Sequence, residues 1–246
     1  MTAEPLSDAA HSSELRRSAL RSILASAACA VAALVAAHVW LAPGGPALLL
    51  VPVLLAALML LLLNGLGVHP HAHFGPANQV TLLRAELVVL LAGIAVANSD
   101  PRLPAIATAI ATGAATLDAL DGWLARRKNV SSRYGARFDM ETDAALILVL
   151  CVLAWRFDKA GAWVCLAGLM RYAFIAAARP LPWLRAELPP RRRRQTIAVV
   201  QTVGLIVAIA PFIAGNTSRG VLLVCLASLA VSFGIDVRWL AQRRPA

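Results

Sequence analysis

The sequence predicts an all-α fold, namely a polytopic membrane helix bundle with about eight transmembrane helices. Its composition excludes a soluble globular domain, because 59% of the 246 residues are hydrophobic and only 15% are charged. Soluble domains hold about 45–50% apolar and about 25% charged residues. Mean hydropathy is +0.71. Apolar stretches long enough to cross about 30 Å of hydrocarbon recur along the chain, and the basic residues are concentrated in alternate loops.

The chain divides into three parts by composition. The predicted spans lie at 20–42, 46–67, 79–98, 104–126, 136–155, 160–179, 196–214 and 220–238. The first two consist almost entirely of Ala, Leu and Val, and the loop HPHAHFGPAN separates them from the rest. We therefore expect a polar cytoplasmic N-terminus (1–17), a two-helix membrane extension (18–68) and a six-helix core (75–240).

The positive charge of the chain indicates its orientation. A net charge of +10 would favour a nucleic-acid partner in a soluble protein, but in a membrane protein it is typical of loops held on the cytoplasmic side. With the N-terminus inside, the outer loops near 99–103, 156–159 and 215–219 hold only Arg102, Arg156, Lys159 and Arg219. We therefore expect a multi-pass protein of the inner (cytoplasmic) membrane, with its N-terminus on the cytoplasmic side and no nucleic-acid partner.

Four aspartates cluster around one inner loop. A charge inside a membrane helix costs at least about 2.5–3.5 kcal/mol and is usually paired and functional. Asp118 and Asp121 are three residues apart in the fourth span, and Asp139 and Asp143 are four apart in the fifth. Each pair therefore shares a helix face. Because a short loop makes the two helices antiparallel neighbours, both faces can converge near the cytoplasmic surface.

Four converging carboxylates need a compensating charge, since like charges otherwise keep some of them protonated. Oxygen-only ligands favour Mg²⁺ or Mn²⁺ over zinc, and four carboxylates suffice for two ions, which typically clamp phosphate oxygens during in-line displacement. Gly122 and Gly135 leave room for a phosphate ligand, and Arg126 lies one turn beyond Gly122. The alternative is a set of interfacial salt bridges from the aspartates to Arg126, Arg127, Arg133 and Arg137.

This stretch resembles the signature of the CDP-alcohol phosphotransferase family. The family pattern is D-x2-D-G-x2-A-R, then about eight residues, then G-x3-D-x3-D. Its fixed positions are filled here by Asp118, Asp121, Gly122, Ala125, Arg126, Gly135, Asp139 and Asp143. A second family element, N-x2-T-x2-R, is matched by Asn78, Thr81 and Arg84. The resemblance covers roughly residues 75–240, and the two leading helices depart from the commonest six-helix form.

The resemblance implies a reaction and a division of roles. The donor is a CDP-linked lipid, most often CDP-diacylglycerol, and an acceptor hydroxyl attacks its lipid-side phosphorus so that CMP leaves. Asp118, Asp121 and Asp139 bind the divalent metals, while Asp143 acts as general base and as a further ligand. The nucleotide pocket is lined by Asn78, Thr81, Gly122, Ala125, Arg126 and Gly135. Homodimers are common in the family, so a homodimer is expected.

The acceptor is less sharply predicted. In family members with phosphorylated acceptors, basic residues near the signature bind the acceptor phosphate, and Arg133, Arg137 and Arg171 are the candidates here. They favour glycerol 3-phosphate, with inositol phosphate, serine and choline left open. A structural pair with Asp236 or Glu86 is the alternative role for Arg171, which lies inside the sixth span.

Two other classes of protein compete with this interpretation. A transporter would place its carboxylates near the middle of the membrane on broken helices, whereas these aspartates lie within about one to two turns of the inner helix ends. An inactive scaffold of the same fold would be expected to have lost an aspartate, and all four are present.

Overall fold

A computed structural model gives the fold of the chain. It describes residues 20–36 (apart from 22 and 26), 39, 44–65, 76–128, 133–186 and 192–243. Within these ranges the side chains of residues 64, 65, 76, 77, 121–128, 133 and 134 lie outside the description. The described residues form helices and connecting turns with no strand, which confirms the predicted all-α class.

The described helices follow one another along the chain as α1 to α8. They are α1 (Ile23–Ala36), α2 (Gly45–Gly65), α3 (Pro76–Val96), α4 (Leu103–Lys128), α5 (Arg133–Arg156), α6 (Cys165–Ala177), α7 (Arg192–Ile209) and α8 (Gly215–Ala241). Two short 3₁₀ helices, Ala162–Val164 and Pro182–Arg185, lie on either side of α6.

Four helices are long and apolar enough to cross a membrane. These segments are Gly45–Leu63, Asn78–Val96, Leu103–Leu120 and Gly215–Ala241. The segments Ile23–Ala36 and Ala162–Ala177 are apolar but shorter, and α5 and α7 both carry charged residues in their first turns. The membrane character of the protein is therefore clear, while the predicted total of eight spans stays a prediction.

The first of two compact units contains the described residues up to Leu103 together with Ala109–Asp143. Its core lies where α1, α2 and α3 meet: Ile23 packs with Leu62 and Leu82, and Phe138 of α5 lies against this cluster. Helices α2 and α3 pack closely, since a Cβ at Gly93 would come within 2.5 Å of Val51 Cγ2. This packing fixes α3, which carries the buried polar residues described below.

The second unit contains Pro104–Thr108 and the chain from Ala144 onward. Helices α7 and α8 form its main packed pair, and the buried Ser218 hydroxyl donates a hydrogen bond to Ala208 O at 2.9 Å. Lys159 Nζ donates to Ala210 O at 2.9 Å and to Ile213 O at 2.6 Å. The Lys159 ammonium thus binds two carbonyl groups of the turn that follows α7, where a positive charge also complements the dipole of the helix.

Candidate active site

Helix α3 carries four buried polar or charged side chains in a mostly apolar sequence, namely Asn78, Thr81, Arg84 and Glu86. Asn78, Thr81 and Arg84 are 8%, 4% and 1% exposed. They follow one another at intervals of three residues, so they lie on neighbouring turns of one broad helix face. Burying polar groups in this way is costly unless each finds partners, which points to a role beyond packing.

Three of the four predicted aspartates come together. Asp118 of α4 and Asp139 and Asp143 of α5 each offer a carboxylate oxygen, and these oxygens all lie within 4.8 Å of one another. The side chains are 43%, 38% and 44% exposed, so the cluster is half-buried and open to a ligand. The predicted convergence of the two helix faces is therefore seen for these three residues.

The Arg84 guanidinium joins the three carboxylates. Its Nη1 lies 2.8 Å from Asp118 Oδ1 and donates a hydrogen bond to Asp139 Oδ1 at 2.6 Å. Its Nη2 donates to Asp143 Oδ1. Charge-assisted bonds of this kind are the strongest hydrogen bonds in proteins. Among the described side chains, Arg84 is a salt-bridge partner of all three aspartates. The side chains of Arg126, Arg127 and Arg133, which the alternative drawn from the sequence named, lie outside the description.

In the sequence, Arg84 belongs to the N-x2-T-x2-R element, and no role at the aspartates was predicted for it. A signal was present, because an arginine within an apolar helix requires an anionic partner. The partners lie 55 and 59 residues further along the chain, at Asp139 and Asp143. Helical spacing within one segment does not identify such a partner, since it relates only residues of the same helix.

The chemistry of the cluster fits a divalent cation. Its donor atoms are carboxylate oxygens, the ligands that Mg²⁺ and Mn²⁺ prefer. The three oxygens are close enough to bind a common ion, and the cluster already attracts a cationic group in the form of Arg84. The residues present therefore fit the metal that the sequence predicted, while its identity and number stay predictions.

Several predicted site residues have side chains outside the described part of the chain. They are Asp121, Gly122, Ala125, Arg126 and Arg133. The backbone of all five is helical, within α4 or at the start of α5. Their roles in metal, nucleotide and acceptor binding stay predictions.

The remaining predicted residues lie on α5 and α6. Gly135 is half-buried one turn before Asp139, and Arg137 is exposed. Arg171 lies on α6 and is half-buried. Asp236, one suggested partner of Arg171, is paired with Arg193 at 2.5 Å and with Arg194 at 3.8 Å. The basic run at the start of α7 therefore holds α8 through Asp236.

Fold and site together define a helical membrane protein with an acidic cluster suited to a divalent metal. The chain belongs to the CDP-alcohol phosphatidyltransferase family, whose model matches residues 74–234, well over half of its length. Comparison with curated proteins and with solved structures gave no match. The protein is thus an enzyme of this class, one that transfers a phosphatidyl group from a CDP-alcohol to an acceptor in phospholipid biosynthesis. Members of the family are generally dependent on divalent metals.

Proposed function

We propose that this enzyme transfers the phosphatidyl group of CDP-diacylglycerol to glycerol 3-phosphate and releases CMP. The observation that carries the proposal is the convergence of Asp118, Asp139 and Asp143 within the family-matched region. The distribution of arginines supports a multi-pass protein with this site on the cytoplasmic side. There the lipid tails of the donor stay in the bilayer while its nucleotide remains in water.

Asp118, Asp121 and Asp139, with Asp143 as a further ligand, are the residues proposed to hold two Mg²⁺ or Mn²⁺ ions. When bound, the ions would neutralise the pyrophosphate of the donor and the charge that develops on departing CMP. The support for this assignment is the oxygen-only donor set and the closeness of the three described carboxylates.

The chain itself supplies a base and a binding pocket. Asp143 accepts the proton of the acceptor hydroxyl as its oxygen bonds to the lipid-side phosphorus and the bond from that phosphorus to CMP breaks. Partial exposure of the Asp143 side chain leaves room for a hydroxyl to reach it. The reaction thus needs positioning and electrostatic stabilisation, and no Ser or Cys nucleophile is required.

The nucleotide half of the donor is assigned to a pocket near the same helices. Its proposed lining residues are Asn78, Thr81, Gly122, Ala125, Arg126 and Gly135. The burial of Asn78 and Thr81 on the helix that carries Arg84 supports their part in it.

Arg133, Arg137 and Arg171 are proposed to bind the acceptor phosphate, which is why glycerol 3-phosphate is preferred. A guanidinium group matches a phosphate well in charge and shape. Inositol phosphate, serine and choline are the other acceptors to be compared. Homodimerisation stays a prediction from the family resemblance.

The test is CMP release by the purified protein in detergent with CDP-diacylglycerol and Mg²⁺, adding one acceptor at a time. Release that depends on glycerol 3-phosphate is expected. Asp143→Asn should slow it by roughly 10²–10⁴-fold, the usual contribution of a general base. Glu141→Gln, which removes another charge from α5, is the matched control and should retain activity.

Each outcome bears on a separate part of the proposal. Release with a different acceptor would replace glycerol 3-phosphate and leave the reaction class standing. No release with any acceptor from folded protein would refute transfer from CDP-diacylglycerol. Turnover by Asp143→Asn at the rate of the unsubstituted enzyme would remove Asp143 from the role of base.

A further inference from the structure

Arg84 has an unusual position, because its guanidinium lies among the carboxylates of the acidic cluster. Its side chain is 1% exposed, while the carboxylates around it are about two-fifths exposed. It reaches the cluster from α3, whereas the carboxylates belong to α4 and α5. One guanidinium thus bridges three carboxylates on two other helices.

The described side chains of this group carry more acidic than basic groups. With the three carboxylates ionised and Arg84 protonated, three negative charges face one positive charge, so two negative charges remain. A single divalent cation would supply the missing charge. The guanidinium and a metal ion would then compete for the same oxygens, since these carboxylate oxygens lie within 4.8 Å of one another.

We propose that Arg84 is a positioning residue which holds the metal site together in the metal-free protein and competes with the divalent cation for its carboxylates. The proposal rests on the metal site of the proposed function. Without a cation, the guanidinium keeps the three like charges from driving α4 and α5 apart. When a cation binds, it takes over those contacts, and Arg84 lowers its affinity by repulsion.

Competition between Arg84 and the metal predicts the direction in which the Mn²⁺ affinity changes when Arg84 is substituted. Arg84→Gln removes the positive charge and keeps a polar side chain, so Mn²⁺ should bind more tightly, by roughly thirtyfold for a single charge removed at about 4 Å from a divalent ion in a solvated site. Because a ligand that binds the folded state stabilises it by mass action, Mn²⁺ should raise the melting temperature of Arg84→Gln more than that of the unsubstituted protein. Metal-free Arg84→Gln should melt lower.

The experiment measures Mn²⁺ binding without substrate, from the electron paramagnetic resonance signal of free Mn²⁺, together with thermal unfolding in detergent with and without Mn²⁺. Arg84→Lys keeps the charge but loses the planar fork, so its affinity should lie between those of the other two proteins. Arg84→Lys also tests the proposal if Arg84→Gln does not fold. Arg193→Gln removes the arginine paired with Asp236 and is the matched control. Its melting temperature should fall equally with and without Mn²⁺.

Equal or weaker Mn²⁺ binding by Arg84→Gln would overturn the proposal, as would a loss of melting temperature that Mn²⁺ does not reduce. Absence of Mn²⁺ binding by the unsubstituted protein would also overturn it, because nothing would then compete with Arg84. Phosphatidyl transfer is judged separately by CMP release. An active enzyme whose Arg84 variant fails to bind Mn²⁺ more tightly would therefore leave the proposed function standing.

Discussion

The packing of α7 against α8 can be tested at one pair of residues. Gly204 and Cys225 are both buried where the two helices meet. A Cβ at position 204 would come closer to Cys225 Sγ than Cβ atoms come to their neighbours in real proteins. The next neighbours would be Val221 Cγ1 at 3.6 Å and Cys225 Cβ at 3.9 Å, which are ordinary contacts. The clash introduced by Gly204→Ala is therefore with one sulfur atom.

The expected cost follows from that geometry. Overpacking of a tight core typically destabilises by about 1–3 kcal/mol. Cys225 has little freedom to move aside, because one of its three χ1 rotamers is disfavoured in a helix and because its thiol donates to Val200 O at 3.8 Å. Cys225→Ala alone should cost about 1 kcal/mol, the value of roughly one buried carbon-sized group. In the double variant the new methyl group fills the space left by the sulfur.

The double variant should thus be more stable than the sum of the single effects by about 1–2 kcal/mol, within the range measured for residues in contact. Free energies of unfolding can be obtained from sodium dodecyl sulfate titrations in micelles, followed by circular dichroism. Gly234→Ala is the control on α8, since nothing lies within 4 Å of its added Cβ. The reasoning is refuted if the two single effects add to within about 0.5 kcal/mol, or if Gly204→Ala matches Gly234→Ala.

Three further predictions concern single positions. Asp158 follows α5 with a φ of 56°, a conformation that costs a non-glycine residue about 1–2 kcal/mol; Asp158→Gly should raise the unfolding midpoint, and Asp158→Ala should not. Arg102 donates hydrogen bonds that lower the pKa of Asp100 to about 2, so the stabilisation from this partly buried carboxylate is present above about pH 4 and is lost as the pH falls through about 2. Arg102→Gln should move the Asp100 carboxyl titration, followed by NMR, to higher pH; an unmoved titration would contradict that pairing. Arg171→Ala should raise the KM for the acceptor more than for the donor, and equal increases would remove Arg171 from the acceptor pocket.

The sequence predicts the long apolar helices well, because length and hydropathy alone define them. The predicted spans 46–67 and 79–98 correspond to Gly45–Gly65 and Pro76–Val96. The predicted span 160–179 is less regular, since a 3₁₀ turn at Ala162–Val164 precedes a helix of 13 residues. A helix of that length rises only about 20 Å. Composition does not predict this break in the helix, because 3₁₀ and α turns accept the same apolar residues.

At the site, the sequence predicted that the faces of two neighbouring helices converge, but it did not predict the contact from a third helix. The intervals between the aspartates predicted that Asp118, Asp139 and Asp143 would face one another, and they lie within 4.8 Å. The sequence offered only arginines close in the chain as partners. Arg84 comes from a helix that ends before α4 begins, and tertiary packing alone brings it to the cluster. The charges along a single segment therefore do not identify every group that neutralises such a cluster.

The position of Arg84 also links the element on α3 to the aspartate signature. Its guanidinium is bound at three points on α4 and α5. Helix α3 therefore cannot rotate or slide without losing charge-assisted bonds, which are among the strongest that side chains form. Asn78 and Thr81 lie about two turns and about one turn before Arg84 on the same helix. As long as Arg84 holds these contacts, it keeps Asn78 and Thr81 at a set distance from the carboxylates. We therefore expect a substitution of Arg84 to disturb donor binding even if Arg84 never contacts the nucleotide.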